Sequence, residues 1–319
     1  MTSDKSSYTI ADNALGQPVV GFTKPPFGYY GAKQRIASKI IASLPPHNAW
    51  VEAFCGSAAI TLAKPAVPIE VINDLDDNVI NVFEQLRTNS EALCKAIALT
   101  PYSRQEFETA RRGPRPPDPM ERARQFLVAT MMTINSTIAA KTSCGFSFSQ
   151  SFARGGMEAR VSRWFNLPDR LFQVAERLRT IRIEKRDARD LLSQFADRPA
   201  TLIYLDPPYF VKRIHDYMID AKDEPFHREL LKICCRSQAM ILISGYRNKL
   251  YDSILTRKNG WHRTTIDTHT RDATGKDYSR TEVLWWNEQF VLARKTGKVQ
   301  LRLTKTEIRE NKINPPRKR

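Results

Sequence analysis

The feature that most constrains this chain is Leu202-Ile203-Tyr204-Leu205-Asp206-Pro207-Pro208-Tyr209-Phe210. An apolar run without polar alternation reads as a strand buried on both faces. Two successive prolines donate no backbone hydrogen bonds, so the strand must end there. Each proline also pushes the residue before it out of the helical region. The outcome is a stiff corner at the carboxyl end of a buried strand, carrying one acid and one aromatic ring. Open α/β sheets bind their ligands at that edge. A carboxylate beside a ring suits a flat heteroaromatic molecule with an amino group: the ring stacks and the acid accepts an N–H. The same residues would also serve as a plain strand-terminating turn.

Two further strand ends carry polar chemistry. Trp50 to Phe54 reads as a strand followed by Cys55-Gly56-Ser57 and a small-residue helix from Ala58 to Ala63. A glycine at such a turn lets a ligand approach backbone N–H groups, although a tight turn needs no ligand. Glu70 to Ile72 reads as a second strand, followed by Asn73-Asp74-Leu75-Asp76 and a helix through about Arg87. An acid there can accept both hydroxyls of a ribose, or it can cap the next helix. Strand–loop–helix alternation makes the chain α/β, with a Rossmann-like parallel sheet covered by helices. It places Gly56, Asp74 and Asp206 on one edge of that sheet.

The rhythm breaks between residues 99 and 171. Pro114, Pro116, Pro117 and Pro119 make a turn-rich linker, a helix follows from about Met120 to Asn135, and Thr142 to Gly156 is rich in Ser, Gly and Phe. Arg154, Arg160 and Arg163 interleave with Phe146, Phe148, Phe152, Trp164 and Phe165. This pattern suits phosphate contact and base reading, or a small helical subdomain with an aromatic core. Alternation resumes with a helix at Leu171, strands at Ile181–Glu184 and Leu202, a helix that His227 starts or caps, and strands at Met240–Ser244 and Glu282–Trp286. Arg271, Lys276 and Arg280 form a basic loop, or a solvated hairpin, before the last strand.

Charge narrows the partners. Lys and Arg number 50 against 34 acids, a formal charge of +16, which favours a polyanion such as nucleic acid. Ten of the basic residues lie from Val291 onward, so 291–319 is expected to be a loose basic tail, and 1–25 an irregular lead-in. The five cysteines show no C-x-x-C spacing and the five histidines no ligand spacing, so neither a disulfide framework nor a metal site is expected. No apolar run approaches the ~20 residues of a membrane span, and no leader peptide is evident, so a cytoplasmic location is expected.

These elements together resemble the Dam-type family of DNA adenine-N6 methyltransferases, S-adenosylmethionine enzymes of phage, prophage and bacterial modification systems. Tyr29, Gly31 and Lys33 match its N-terminal cofactor loop. Val51-Glu52-Ala53-Phe54-Cys55-Gly56 matches its glycine loop, Asn73-Asp74 its ribose-binding acid, and Asp206-Pro207-Pro208-Tyr209 its catalytic tetrapeptide. Arg186-Asp187-Ala188 stands where the family has an acid near the cofactor's adenine, and Glu282 to Asn287 resembles its late strand. The resemblance implies a methyltransferase sheet built from 26–98 and 172–290, with 99–171 as an inserted, mostly helical target-recognition subdomain. It implies S-adenosyl-L-methionine held by Tyr29, Gly31, Lys33, Phe54, Gly56, Asp74, Asp187 and Asp206. Catalysis would fall to Asp206, the carbonyl of Pro207, and Tyr209 stacked on a flipped adenine. Arg154, Arg160, Arg163, Arg271, Lys276 and Arg280 would contact double-stranded DNA. The enzyme is expected to act as a monomer, with a cognate restriction endonuclease as a further partner.

Four positions depart from the family pattern. Ala32 and Ala58 replace glycines, Gly245 stands where asparagine is common, and Gly28 replaces a base-contacting lysine of GATC-reading members. GATC recognition therefore does not carry over. Two alternatives stay open: an amino methyltransferase acting on cytosine N4 or RNA, and a DNA-binding relative without catalysis.

Overall fold

The structure is a computed structural model; it describes residues 23–29, 31, 33–134, 145–148, 156–208, 223–271, 277–298 and 309, with backbone alone for 268–271 and 277–280. The strands are β1 (Ala49–Glu52), β2 (Ile69–Asn73), β3 (Ile181–Glu184), β4 (Thr201–Leu205), β5 (Met240–Gly245), β6 (Trp261–Arg271) and β7 (Asp277–Asn287). The helices are α1 (Ala37–Ser43), α2 (Ala59–Ala63), α3 (Asp77–Thr88), α4 (Ser90–Leu99), α5 (Arg104–Arg112) and α6 (Pro119–Met131), then α7 (Ala159–Phe165), α8 (Leu167–Leu178), α9 (Ala188–Phe195), α10 (Glu224–Arg236), α11 (Lys249–Ile254) and α12 (Glu288–Thr296).

The seven strands form one sheet in the order β3-β2-β1-β4-β5-β7-β6. β1 to β5 run parallel, while β7 is antiparallel to both β5 and β6. This is a Rossmann-like, mostly parallel sheet. From β1 the chain first builds outward through β2 and β3, then returns to place β4 on the other side of β1. The reversal leaves a crevice between the carboxyl ends of β1 and β4, where a doubly wound sheet binds its ligand.

Both sheet faces are covered. Val51, Ile203, Ile241 and Ile243 pack under α9, α10 and α11. Trp50, Leu202, Tyr204 and Leu242 face α1, α2 and α12. A third cluster joins Ile72 and Ile181 to Val79, Phe83, Phe126, Leu127, Trp164, Leu167 and Leu171. Helices α6, α7 and α8 thus share a core with α3, and the described part of the inserted segment is packed onto the sheet-covering layer.

Several expectations shift. The helix expected from Leu171 starts at Leu167, and the one expected to reach Asn135 ends at Met131. Residues 291–296, the start of the expected basic tail, lie in α12, where Phe290 and Ala293 are buried. Asp223 caps α10, accepting from Phe226 N, while His227 is buried against the Tyr251 hydroxyl at 2.9 Å. Of the basic loop expected at Arg271, Lys276 and Arg280, Arg271 and Arg280 lie in the paired strands β6 and β7. β6 escapes sequence reading because Arg263, Thr264, Thr265 and Asp267 are exposed and interrupt any apolar pattern.

Candidate active site

The carboxyl ends of β1, β2 and β4 bring the candidate residues together. After β4, Asp206 carries a carboxylate whose two oxygens accept from Lys33 Nζ at 2.7 and 2.6 Å. Lys33 is buried, also donates to Gly31 O at 3.0 Å, and lies 3.4 Å from Glu282 Oε1 on β7. Gly31 takes φ +75°, which lets the loop fold back and present its carbonyl to the ammonium. Burial alone would lower the Lys33 pKa, but Asp206 and then Glu282 outweigh it and hold the ammonium protonated.

Ser244, on β5, donates to Asp206 Oδ1 at 3.2 Å and lies 2.8 Å from the Tyr204 hydroxyl. The acid corner is thus braced by a charge on one side and a hydroxyl on the other. Sequence carries no signal for Ser244. Glu282 falls within the late strand motif, yet nothing there marks it as a second acid on Lys33.

After β2, Asp74 does not cap α3; Asp76 does, accepting from Asn78 N at 2.9 Å. Asp74 instead accepts from Gly56 N at 2.8 Å and Asp76 N at 2.9 Å, joining the first two strand ends. Burial raises its pKa to about 6, against the pull of those N–H groups. Gly56 has φ +48°, and a Cβ there would come within 2.7 Å of Tyr29 Cδ1. The Tyr29 hydroxyl reaches Asp76 Oδ2 at 3.3 Å, so its ring lies over the glycine turn. Ala58 holds a left-handed conformation at φ 53°, which costs an L-residue about 1–2 kcal/mol. A glycine would fit there freely.

Asn73 ties the neighbouring loops. Its amide donates to Ala53 O and Arg186 O and accepts from Arg186 N, all within 2.9–3.0 Å. Asp187 caps α9 and pairs with Arg189 at 2.6 Å, and Phe54 meets Phe226 edge-on.

Glu52, at the end of β1, is buried and paired in register with Tyr204. It accepts from Thr61 N at 3.0 Å and from the Thr61 hydroxyl, which in turn accepts from Trp50 Nε1 at 2.7 Å. Burial raises Glu52 from 4.5 to about 8, offset only in part by the Thr61 hydrogen bonds. The folded chain therefore holds a proton that the unfolded chain releases. This contribution to stability is full at low pH and is lost as pH rises through about 8. Glu52→Gln, which keeps the acceptor, should flatten the fall in urea midpoint between about pH 5 and 8. Parallel curves for wild type and variant would contradict this.

The DNA-facing candidates are less gathered. Arg160 and Arg163 are both half-buried: Arg160 reaches Ile134 O at 3.3 Å, and Arg163 has its Nη2 on Met131 Sδ at 3.5 Å. Of the aromatics, Trp164 is buried and donates to Thr100 O at 2.8 Å, while Phe148 and Phe165 are exposed. Arg104 stacks over Phe146 and Phe148 at 4.9 and 5.8 Å. Tyr209, Arg154 and Lys276 lie outside the described residues, as do the side chains of Arg271 and Arg280. Among the described residues no cluster fit for a metal is present, and no helix is long and apolar enough to cross a membrane.

Residues 29–267 match the D12 class N6 adenine-specific DNA methyltransferase family, a span covering about three quarters of the chain. The chain belongs to that family. Its established chemistry is methyl transfer to the N6 amino group of adenine in DNA. No curated protein matches the chain significantly. Among solved structures, a methylase candidate from Haemophilus influenzae, HI0767, is 11% identical; the match covers 82% of this chain and 91% of that one, with a TM-score of 0.34.

The family requires a methyl donor, and the donor set fits one with a ribose and a cationic centre. Asp74 is a half-buried acceptor at the end of β2, while Asp206 and Glu282 flank Lys33 on the other side of the crevice.

Proposed function

We propose that this D12 enzyme uses S-adenosylmethionine at the β1–β4 crevice and methylates an adenine flipped out of duplex DNA. The observation that carries the reading is the Lys33–Asp206 pair at the carboxyl end of β4, across the crevice from the Asp74–Gly56 contact. When bound, S-adenosylmethionine supplies an electrophilic methyl group on a sulfonium centre.

The protein residues do the rest. Asp74 accepts the ribose hydroxyls, the Gly56 turn and Tyr29 bound the same pocket, and Phe54 and Asp187 flank the adenine end. Asp206 accepts one N–H of the target amine and the carbonyl of Pro207 the other. Conjugation with the ring makes that nitrogen a poor nucleophile, and two acceptors favour a more tetrahedral geometry. Lys33 pairs with both oxygens of Asp206, while Ser244 fixes its rotation. A carboxylate has about four lone-pair sites, enough for both partners and the amine. Positioning and electrostatics then supply the acceleration for in-line transfer. Tyr209, next along the chain, stacks on the extruded base.

The finer reading is a Dam-type, phage- or prophage-like member with its motifs in the order glycine loop, target-recognition segment 99–171, then Asp206-Pro207-Pro208-Tyr209. It works as a monomer on double-stranded DNA, with a restriction endonuclease as cognate partner where the two are encoded together. Arg154, Arg160, Arg163, Arg271, Lys276 and Arg280 supply backbone and base contacts.

Calorimetric titration with S-adenosylhomocysteine tests the pocket. Asp74→Ala should weaken binding by at least about tenfold, the cost of one charge-assisted hydrogen bond. Equal affinity in wild type and variant would move the cofactor elsewhere.

A further inference from the structure

Arg170, the fourth residue of α8, has no role in the chemistry above. Its guanidinium is half-buried. Nη2 reaches Pro26 O at 3.4 Å and Met131 Sδ at 3.8 Å, while Nε is buried without a hydrogen-bond partner. Neither acceptor is charged, and no carboxylate among the described residues comes within ion-pair distance of it. Arg163 of α7 converges on the same sulfur from 3.5 Å, and Arg160 sits close enough to repel Arg163.

This arrangement is costly for the protein alone. Burial, and then Arg163, pull Arg170 down to about 10; burial and then Arg160 lower Arg163 as well. Arg170 still carries its charge at neutral pH. Buried arginines are normally matched by carboxylates that satisfy their N–H fork. A group with several anionic oxygens would relieve the repulsion and satisfy Nε together.

The location says which anion. α8 leads into β3, so its first turn lies at the carboxyl edge of the sheet. Pro26 stands three residues before Tyr29, whose ring covers the Gly56 turn. A target strand delivering an adenine to Asp206 passes along this edge. We propose that Arg163 and Arg170 form a phosphate clamp that grips the backbone of the DNA substrate beside the cofactor loop. The clamp rests on the reading of this crevice as the methyl-transfer site.

The test is duplex binding by fluorescence anisotropy across a salt series, for wild type, Arg170→Gln and Arg170→Lys. Arg170→Gln should bind more weakly, with a slope of log K against log salt shallower by about 1, because one fewer phosphate is neutralised. Arg170→Lys should recover most of the slope. Affinity for S-adenosylhomocysteine should not change, and the melting temperature without DNA should stay level or rise, because an unmatched cation has gone. An unchanged slope in Arg170→Gln would overturn the clamp, as would a loss of S-adenosylhomocysteine affinity at constant slope, which would assign the anion to the cofactor. Stabilisation of wild type alone by inorganic phosphate, with equal DNA slopes, would mark a free-phosphate site and also overturn it. A wild-type chain that binds no duplex at all would remove the parent reading, and the clamp with it.

Discussion

Asp206→Asn should lower the rate of adenine methylation by at least about a thousandfold while the fold survives. Removing one preorganised charge-stabilising group from a catalytic site costs about 10²–10³ in rate. Here the loss is compounded. Asparagine presents an amide in place of one carboxylate oxygen, and that amide can donate toward the amine instead of accepting from it. Lys33 would then lean on Glu282, 3.4 Å away, and its loop would shift with it. S-adenosylhomocysteine titration and thermal melting separate lost chemistry from lost structure. A variant with near-normal turnover would show that Asp206 merely terminates β4.

The second large effect is on stability. Glu70, on β2, is buried; it accepts from Lys64 Nζ at 2.7 Å and from Arg177 Nη2 at 2.8 Å, and Arg177 Nη1 lies 2.6 Å from its other oxygen as an ion pair. Lys64 and Arg177 are buried too, and Arg177 also reaches Thr61 O at 3.2 Å, linking this triad to the Glu52 network. Glu70→Gln removes the one anion between two desolvated cations. Breaking a buried pair in this way costs about 3–5 kcal/mol. Urea denaturation should show a midpoint lowered accordingly at constant m-value. Replacing Lys64, Glu70 and Arg177 together by apolar residues should recover most of that loss, because no buried charge is left unmatched. A loss below about 1 kcal/mol in Glu70→Gln would mean that water reaches the triad.

The strand ends were readable because apolar runs meet residues that cannot continue a strand: Gly56 after β1, Pro207 after β4. Parallel pairing follows from the alternation with helices, and it brings Gly56, Asp74 and Asp206 to one edge. Which acid capped α3 was not readable, since Asp74 and Asp76 offer the same carboxylate two residues apart. Only the backbone decides, turning Asp76 toward Asn78 N and Asp74 toward Gly56 N. The interactions that fix the corner join distant elements: Lys33 reaches Asp206 over 173 residues, and Arg177 reaches Glu70 over 107. No local pattern encodes such pairs. Arg170 was invisible for a related reason. In sequence it is one arginine among many on an amphipathic helix, and only the lack of a carboxylate near it among the described residues sets it apart.

The most direct test identifies the product. Unmethylated duplex DNA is incubated with the enzyme and S-adenosylmethionine labelled in the methyl group, digested to nucleosides, and resolved by chromatography. Label in N6-methyladenine alone, absent with Asp206→Asn, is the predicted result. Label in N4-methylcytosine, or none despite cofactor binding, would contradict the assignment of Asp206 and its corner to adenine.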